Sequence, residues 1–265
     1  MIALGIIGWP LDLTLSPKLH EHLFKVADLS GKYDTLPIQK LDSLKLDELI
    51  DEYDGLNVTV PHKQSIYEEL ASTSISSDSV RVIGAANTIV VNNGSTSLHN
   101  TDYKGFLAEV SRLNFKTENK TVLILGSGGS SKSIKYALTR LNPKEVYVAS
   151  RNPNGKQLGY SDLSLIKEKV NMIVNTTPLG MPPHEKKNPL EADIEFKNLE
   201  ILIDIGYSKR ESNLMKRYKD VEIVNGLGML IAQGIESFNL WTKSKLIFSE
   251  LYMEIKELLE EEIYD

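Results

Sequence analysis

Short apolar runs alternate with helix-period segments along almost the whole chain, and this alternation restricts the possible folds more than any other feature. Residues 2–7, 55–60, 121–125, 145–149, 172–175, 201–204 and 222–224 are brief, rich in Val, Ile and Leu, and bounded by Gly, Asn or Pro, which predicts buried strands. Between many of them lie segments with helical spacing of apolar residues, including 17–26, 42–52, 103–113 and 131–141. A helix that carries the chain back to begin the next strand produces parallel pairing with right-handed crossovers. The expected class is therefore α/β. Open sheets of this kind bind ligands beyond the carboxyl ends of their strands, so polar motifs at strand ends carry the functional reading. At 265 residues, against about 150 per domain, the chain has room for one large domain or two medium ones. A boundary is expected between Asn100 and Asn119, where a helix leads into a fresh strand, and after Asn225 the pattern is purely helical. Residues 72–79, with five serines in eight positions, read as a loop or helix entry.

Composition removes several function classes. The formal net charge of −6 offers no basic field for a polyphosphate backbone, so nucleic-acid binding is not expected. The charge is also uneven: residues 254–265 hold six acids and one base, a net −5. The absence of cysteine excludes disulfides, thiolate metal sites and a cysteine nucleophile. No apolar run approaches the roughly 18 residues of a membrane span, and residues 1–7 carry no basic leader, so a cytoplasmic protein that does not enter a membrane is expected. The histidines His20, His22, His62 and His99 have no spacing that a third ligand completes, so no metal site is expected.

The strand at 121–125 runs directly into Gly126-Ser127-Gly128-Gly129-Ser130-Ser131, and an amphipathic segment follows. This is strand, glycine-rich turn and helix in the order of a dinucleotide-binding fold. Gly126 can make the tight turn, Gly128 lets backbone amides approach a pyrophosphate, and the helix N-terminus supplies unpaired N–H groups. Ser131 takes the third fingerprint position and is small enough for helix to pack on strand. The next strand ends in Ser150-Arg151-Asn152, where an NAD-specific protein would place an acid. Arg151, with Lys156 nearby, suits a 2′-phosphate instead, so NADP is the expected cofactor. The plainer alternative is that Arg151 is a solvated strand-end residue.

Three polar clusters occupy the first hundred or so residues: Thr14-Leu15-Ser16-Pro17, Asn57-Val58-Thr59-Val60-Pro61-His62-Lys63, and Gly84-Ala85-Ala86-Asn87-Thr88 with Asn100-Thr101-Asp102. Singly, each reads more readily as turn chemistry than as a functional site. Thr14 or Ser16 could cap one helix, Asp102 could cap another, and Lys63 could be a solvated lysine.

Together, in this order, the clusters resemble the shikimate dehydrogenase family. Thr14-Leu15-Ser16-Pro17 is similar to its Ser-x-Ser-Pro, and 57–63 to its Asn-Val-Thr-x-Pro-x-Lys. Ser150-Arg151-Asn152 stands in the place of its Asn-Arg-Thr, followed by Asn175-Thr176-Thr177-Pro178-Leu179-Gly180-Met181 and the run 225–234. The resemblance implies NADPH-dependent reduction of 3-dehydroshikimate to shikimate, a step toward chorismate and the aromatic amino acids. It implies a substrate-binding catalytic domain over 1–103, a Rossmann-like NADP-binding domain over 104–226, and helices over 227–265 that return to the first domain. Lys63 is then the candidate proton donor, because a positioned acid stabilises the charge that develops on a carbonyl oxygen as hydride arrives, and Asp102 orients it. By the same implication Thr14 and Ser16 bind the substrate carboxylate, Thr59, Asn87 and Gln233 hold ring hydroxyls, and Tyr207 closes on the carboxylate end. Gly126, Ser127, Gly128, Gly129, Ser130, Ser150, Arg151, Asn152, Ile205 and Gly226 hold the cofactor. The expected partner is a small molecule, and the expected assembly a monomer or homodimer.

The sequence departs from the family pattern in places. Thr14 replaces a serine, Lys209 stands where the family has Pro, Ser212 stands where it has Thr, and the stretch from Arg151 to Asn175 is short. These changes point to an altered carboxylate pocket, a looser loop around Tyr207 and a reduced wall on the adenosine side. Two alternatives remain: a quinate/shikimate dehydrogenase using NAD(P), and a nucleotide-sensing relative without turnover, which would have no need of Lys63 beside Asp102.

Overall fold

The computed structural model describes residues 1–190, 194–208 and 211–264. Lys209, named in the sequence reading above, lies outside the described residues. The chain divides into two compact units, Met1–Glu109 with Leu230–Asp265, and Val110–Met229.

The first unit begins β1 (Ile2–Gly8), α1 (Ser16–Val26), β2 (Gly31–Pro37), α2 (Ser43–Glu52), β3 (Gly55–Val58), α3 (Lys63–Leu70), β4 (Ile75–Ser76), α4 (Asp78–Ile83), β5 (Thr88–Asn92), β6 (Ser95–His99) and α5 (Asp102–Arg112). Pro17 occupies the first turn of α1, where its missing N–H costs nothing. Asp42 caps α2 by accepting from the Lys45 N–H at 2.9 Å. The sheet runs β2-β1-β3-β5-β6-β4. β1 is parallel to β2 and β3, while β5 is antiparallel to both β3 and β6. This sheet is thus mixed, which corrects the expectation of purely parallel units. The hairpin of β5 and β6 turns through Asn93 and Gly94, both at positive φ (48° and 76°), the conformation that an Asn-Gly pair favours between two strands. β5 escapes the apolar-run pattern because its run is only three residues long, Ile89 to Val91, and β6 because Ser, Thr and His leave it a single large apolar residue, Leu98. β2 escapes it because Lys32, Asp34 and Thr35 break up its apolar residues along a sheet edge.

The second unit holds β7 (Thr121–Leu125), α6 (Gly129–Leu141), β8 (Glu145–Ala149), β9 (Val170–Asn175), β10 (Ile201–Asp204), α7 (Asn213–Arg217) and β11 (Glu222–Asn225). All its strand pairs are parallel, in the order β11-β10-β9-β7-β8. The order reverses between β7 and β9, the switch point at which such sheets open a ligand crevice. Both faces are covered, and β7 is buried at every position. Between β8 and β9 the only regular element is a single 3-10 helix, Tyr160–Leu165.

α8 (Leu227–Thr242) and α9 (Phe248–Tyr264) complete the chain. In the first unit Phe238 of α8 packs edge-on against Phe24 of α1 (5.1 Å between ring centroids), and the Trp241 indole N–H donates to the Ile89 carbonyl at 2.8 Å. No helix among the described residues is long and apolar enough to cross a membrane.

Candidate active site

In the first unit the antiparallel hairpin decides which residues meet. Because β5 runs against β3, the start of β5 and the end of β6 lie at the edge where β1 and β3 end: Asn57 pairs with Thr88, and Thr88 with His99. Asn87, Asn100, Thr101 and Asp102 therefore join the residues that follow β3. Backbone bonds fix the junction. The Ala86 N–H donates to the Lys63 carbonyl at 2.9 Å, and the Asn87 N–H to the His99 carbonyl at 3.1 Å.

The Lys63 ammonium donates to Asp102 Oδ2 at 2.7 Å, with the two side chains only 11% and 7% exposed. Lys63 opens α3, where the positive end of the helix dipole disfavours a cation, and a buried ion pair returns little net stability after desolvation. Fold stability does not account for this lysine. Nor does Asp102 act as a helix cap, since Asn100 Oδ1 accepts the Tyr103 N–H at 3.3 Å. The second Asp102 oxygen accepts from Asn87 Nδ2 at 2.9 Å, so the carboxylate is held from two sides. Asn87 Nδ2 also faces Thr101 Oγ1 (2.9 Å) and Gln233 Oε1 (3.3 Å).

Thr14 and Ser16 follow β1, and Thr59 follows β3, its neighbour in the sheet. Ser16 is buried, and its N–H donates to Thr14 Oγ1 at 3.3 Å; neither side chain caps α1. Gly8 approaches Thr59 so closely that a Cβ there would lie 2.2 Å from Thr59 Cγ2. Gln233 reaches the same buried cluster from α8, its Nε2 donating to the Leu230 carbonyl at 2.9 Å. His62 is held by the Ile38 carbonyl (2.6 Å) and His99 by Ser97 (3.0 Å). Among the described residues no three His, Asp or Glu side chains could hold a metal ion.

The sequence motifs quoted above contain Asn57, Thr88 and Thr101 without assigning them a role, and Ser237 lies outside every motif. All four are buried and share one hydrogen-bond network with Asn87. Ser237 could have been found from its spacing, since it lies one helical turn beyond Gln233 on the same face.

In the second unit the carboxyl ends of the strands carry the remaining candidates. Gly126 has φ +102°, and a Cβ there would meet Thr176 Oγ1 at 2.6 Å. Gly128 precedes α6 without any side-chain cap, and a Cβ there would face open space. That leaves room for a phosphate group at uncapped helix N–H groups. Ser131 is buried where helix meets strand. Ser127 Oγ and Ser150 Oγ lie 3.0 Å apart, and the Asn152 N–H donates to Ser150 Oγ at 3.2 Å. Arg151 and Asn152 are exposed. Burial pushes the Tyr160 hydroxyl pKa up, and the Arg151 guanidinium opposes that shift. Ile205 and Tyr207 follow β10, and the Gly226 N–H donates to the Gly206 carbonyl at 3.0 Å.

Residues 6–89 match the family model for the shikimate dehydrogenase substrate binding domain, and 226–245 match that for the shikimate 5'-dehydrogenase C-terminal domain. A shikimate dehydrogenase (NADP(+)) of Clostridium beijerinckii is 33% identical over 255 residues, with 91% of this chain and 92% of that protein covered. The chain belongs to the shikimate dehydrogenase family. Shikimate dehydrogenase 1 of Peptoclostridium difficile has a TM-score of 0.88 at 31% identity, covering 98% of this chain and 99% of its own. A chorismate mutase/shikimate 5-dehydrogenase fusion protein of Clostridium acetobutylicum has a TM-score of 0.89 at 30% identity, covering 100% and 99%. As a member of this family the chain is an oxidoreductase with a two-domain α/β architecture: an N-terminal substrate-binding sheet and a Rossmann-like second domain.

Proposed function

We propose that the protein reversibly reduces 3-dehydroshikimate to shikimate with NADPH, that Lys63 moves the proton, and that Asp102 orients it. The 2.7 Å Lys63–Asp102 pair carries this reading. A buried lysine on a doubly held carboxylate is a fixed proton source, and a ketone that receives hydride needs a proton at its oxygen. When bound, the nicotinamide group supplies or accepts the hydride. In reduction the Lys63 ammonium gives its proton to the carbonyl oxygen, leaving the alcohol and a neutral amine. In oxidation the amine takes that proton back.

Thr14 and Ser16 supply hydroxyls for the substrate carboxylate, with Tyr207 closing on that end. Thr59, Asn87 and Gln233 face the ring hydroxyls, and a site of this kind rejects analogues that leave a buried partner unpaired. The glycine-rich turn at 126–130 and the residues Ser150, Asn152, Ile205 and Gly226 hold the cofactor. Arg151 selects NADP by pairing with its 2′-phosphate. The single 3-10 helix between β8 and β9 leaves a reduced wall beside the adenosine end.

Comparing kcat/KM for shikimate and quinate, each with NADP⁺ and NAD⁺, tests substrate and cofactor together. Shikimate with NADP⁺ is expected to be best. Quinate with NAD⁺ as the best pair would overturn both assignments, and no turnover with any pair would leave a nucleotide-sensing relative. Lys63→Ala should lower kcat by about two orders of magnitude or more with little change in substrate KM. Near wild-type kcat in that variant would remove Lys63 from the chemistry.

A further inference from the structure

We propose that Ser237 is a positioning residue for proton transfer: its hydroxyl orients Thr101, and through it the Asn87 amide that holds Asp102 against Lys63. The inference rests on the assignment of Lys63 and Asp102 above. Ser237 is fully buried on α8, and its oxygen lies 3.0 Å from the Gln233 carbonyl, 3.1 Å from Asn57 Nδ2, 2.9 Å from Thr88 Oγ1 and 3.0 Å from Thr101 Oγ1.

Proton counting fixes the directions. A hydroxyl has one proton and two lone pairs. Ser237 donates its proton to the Gln233 carbonyl and so accepts from its other neighbours. Asn57 Nδ2 fills one acceptor position. Thr88 directs its proton to Asn87 Oδ1 at 3.1 Å, which leaves the Thr101 proton for Ser237. With its proton turned that way, Thr101 presents a lone pair to Asn87 Nδ2 at 2.9 Å. Asn87 Oδ1 meanwhile accepts the Thr101 N–H at 2.6 Å, so the Asn87 amide has one orientation, with its N–H side toward Asp102 Oδ1. Without the Ser237 oxygen, the Thr101 proton turns to Gln233 Oε1, 3.4 Å away and already facing Asn87 Nδ2. The Thr101 lone pair then swings off Asn87 Nδ2, so the Asn87 amide keeps its orientation but loses an acceptor that fixes its position, and Asp102 is held less firmly from that side.

The test is a cycle of Ser237→Ala, Thr101→Val and the double variant, with Lys63→Ala in parallel. It reads kcat, shikimate KM and the solvent deuterium isotope effect on shikimate oxidation with NADP⁺. Each single variant should lower kcat about tenfold with KM changed less than about threefold, and the double should also lose about tenfold rather than about a hundredfold. The isotope effect should rise in all three, because a poorly aimed proton transfer becomes slower relative to the other steps. A purely space-filling role would lower the folded fraction and leave the isotope effect at its wild-type value. Wild-type kcat and isotope effect in Ser237→Ala, or multiplicative losses in the double, would overturn the proposal while Lys63→Ala remained inactive. Should Ser237→Ala not fold, an unchanged isotope effect in Thr101→Val overturns it as well. Turnover in Lys63→Ala would instead remove the assignment on which the inference rests.

Discussion

His20 is the most strongly perturbed side chain among the described titrating groups. Its ring is fully buried, stacks on Tyr33 at 4.1 Å, and is pushed by burial down to a pKa of about 3 from 6.5. The folded protein therefore keeps His20 neutral at pH values where the unfolded chain binds a proton. Stability contributed by this group is intact above pH 6.5 and falls as pH drops from there toward about 3, by about 1.4 kcal/mol for each unit within that window. His20→Phe should remove this dependence and keep the stack. Between pH 7 and pH 5, urea unfolding should show the wild type losing about 2 kcal/mol more than the variant. Equal losses in both would contradict this assignment. At this scale the sequence was informative about residue type and poor on partners. Lys63 and Asp102 stood out in motifs 39 positions apart, but nothing local distinguished Asp102 as a lysine partner from Asp102 as a cap.

Elements were legible where apolar residues are continuous and obscure where polar residues interrupt them. β7 and β10 are buried at every position and could be read directly, whereas β5 and β6 carry Thr, Asn, Ser and His and announce themselves only through the Asn93-Gly94 turn. The loop after β10 shows the same mixture. Ser212 caps α7 by accepting the Met215 N–H at 3.2 Å and donates to Asp204 Oδ2 at 3.0 Å. Burial pushes the Asp204 carboxyl pKa up, and hydrogen bonds from Asn175, the Gly206 N–H and Ser212 oppose that shift. Ser212→Ala removes a cap and a donor to a buried carboxylate together, and should cost about 1–3 kcal/mol in urea unfolding. A loss below about 0.3 kcal/mol would show that neither bond matters to the folded loop.

On the scale of the whole molecule, the first unit is discontinuous in sequence, and its core needs the C-terminal helices. A Cβ on Gly55 would lie 2.2 Å from the Trp241 side chain, and one on Gly234 would lie 2.4 Å from the Leu19 side chain, so α8 packs directly on the backbone of β3 and α1 directly on the backbone of α8. A fragment of residues 1–109 lacks that helix and should give no cooperative thermal transition, while residues 110–229 keep a complete core cluster and should melt cooperatively. A cooperative melt of the first fragment, followed by circular dichroism, would contradict this. The acidic C-terminus belongs to the same unit. Glu262 of α9 pairs with Lys18 of α1 at 3.5 Å, and Glu254 of α9 lies 2.9 Å from the His22 ring, which places part of the negative charge against α1.

The sequence by itself determined the alternating α/β pattern, the glycine turn before α6 and the residue types the chemistry requires, because these depend on backbone period and local stereochemistry. Only the tertiary structure decided that β5 enters the first sheet against β3, and that α8 returns to bring Gln233 and Ser237 to the same edge. Both outcomes follow from burying one apolar face against another between segments far apart in the chain, a cost and gain that no local window of sequence contains. The 2.7 Å contact between Lys63 and Asp102 depends on the first of them.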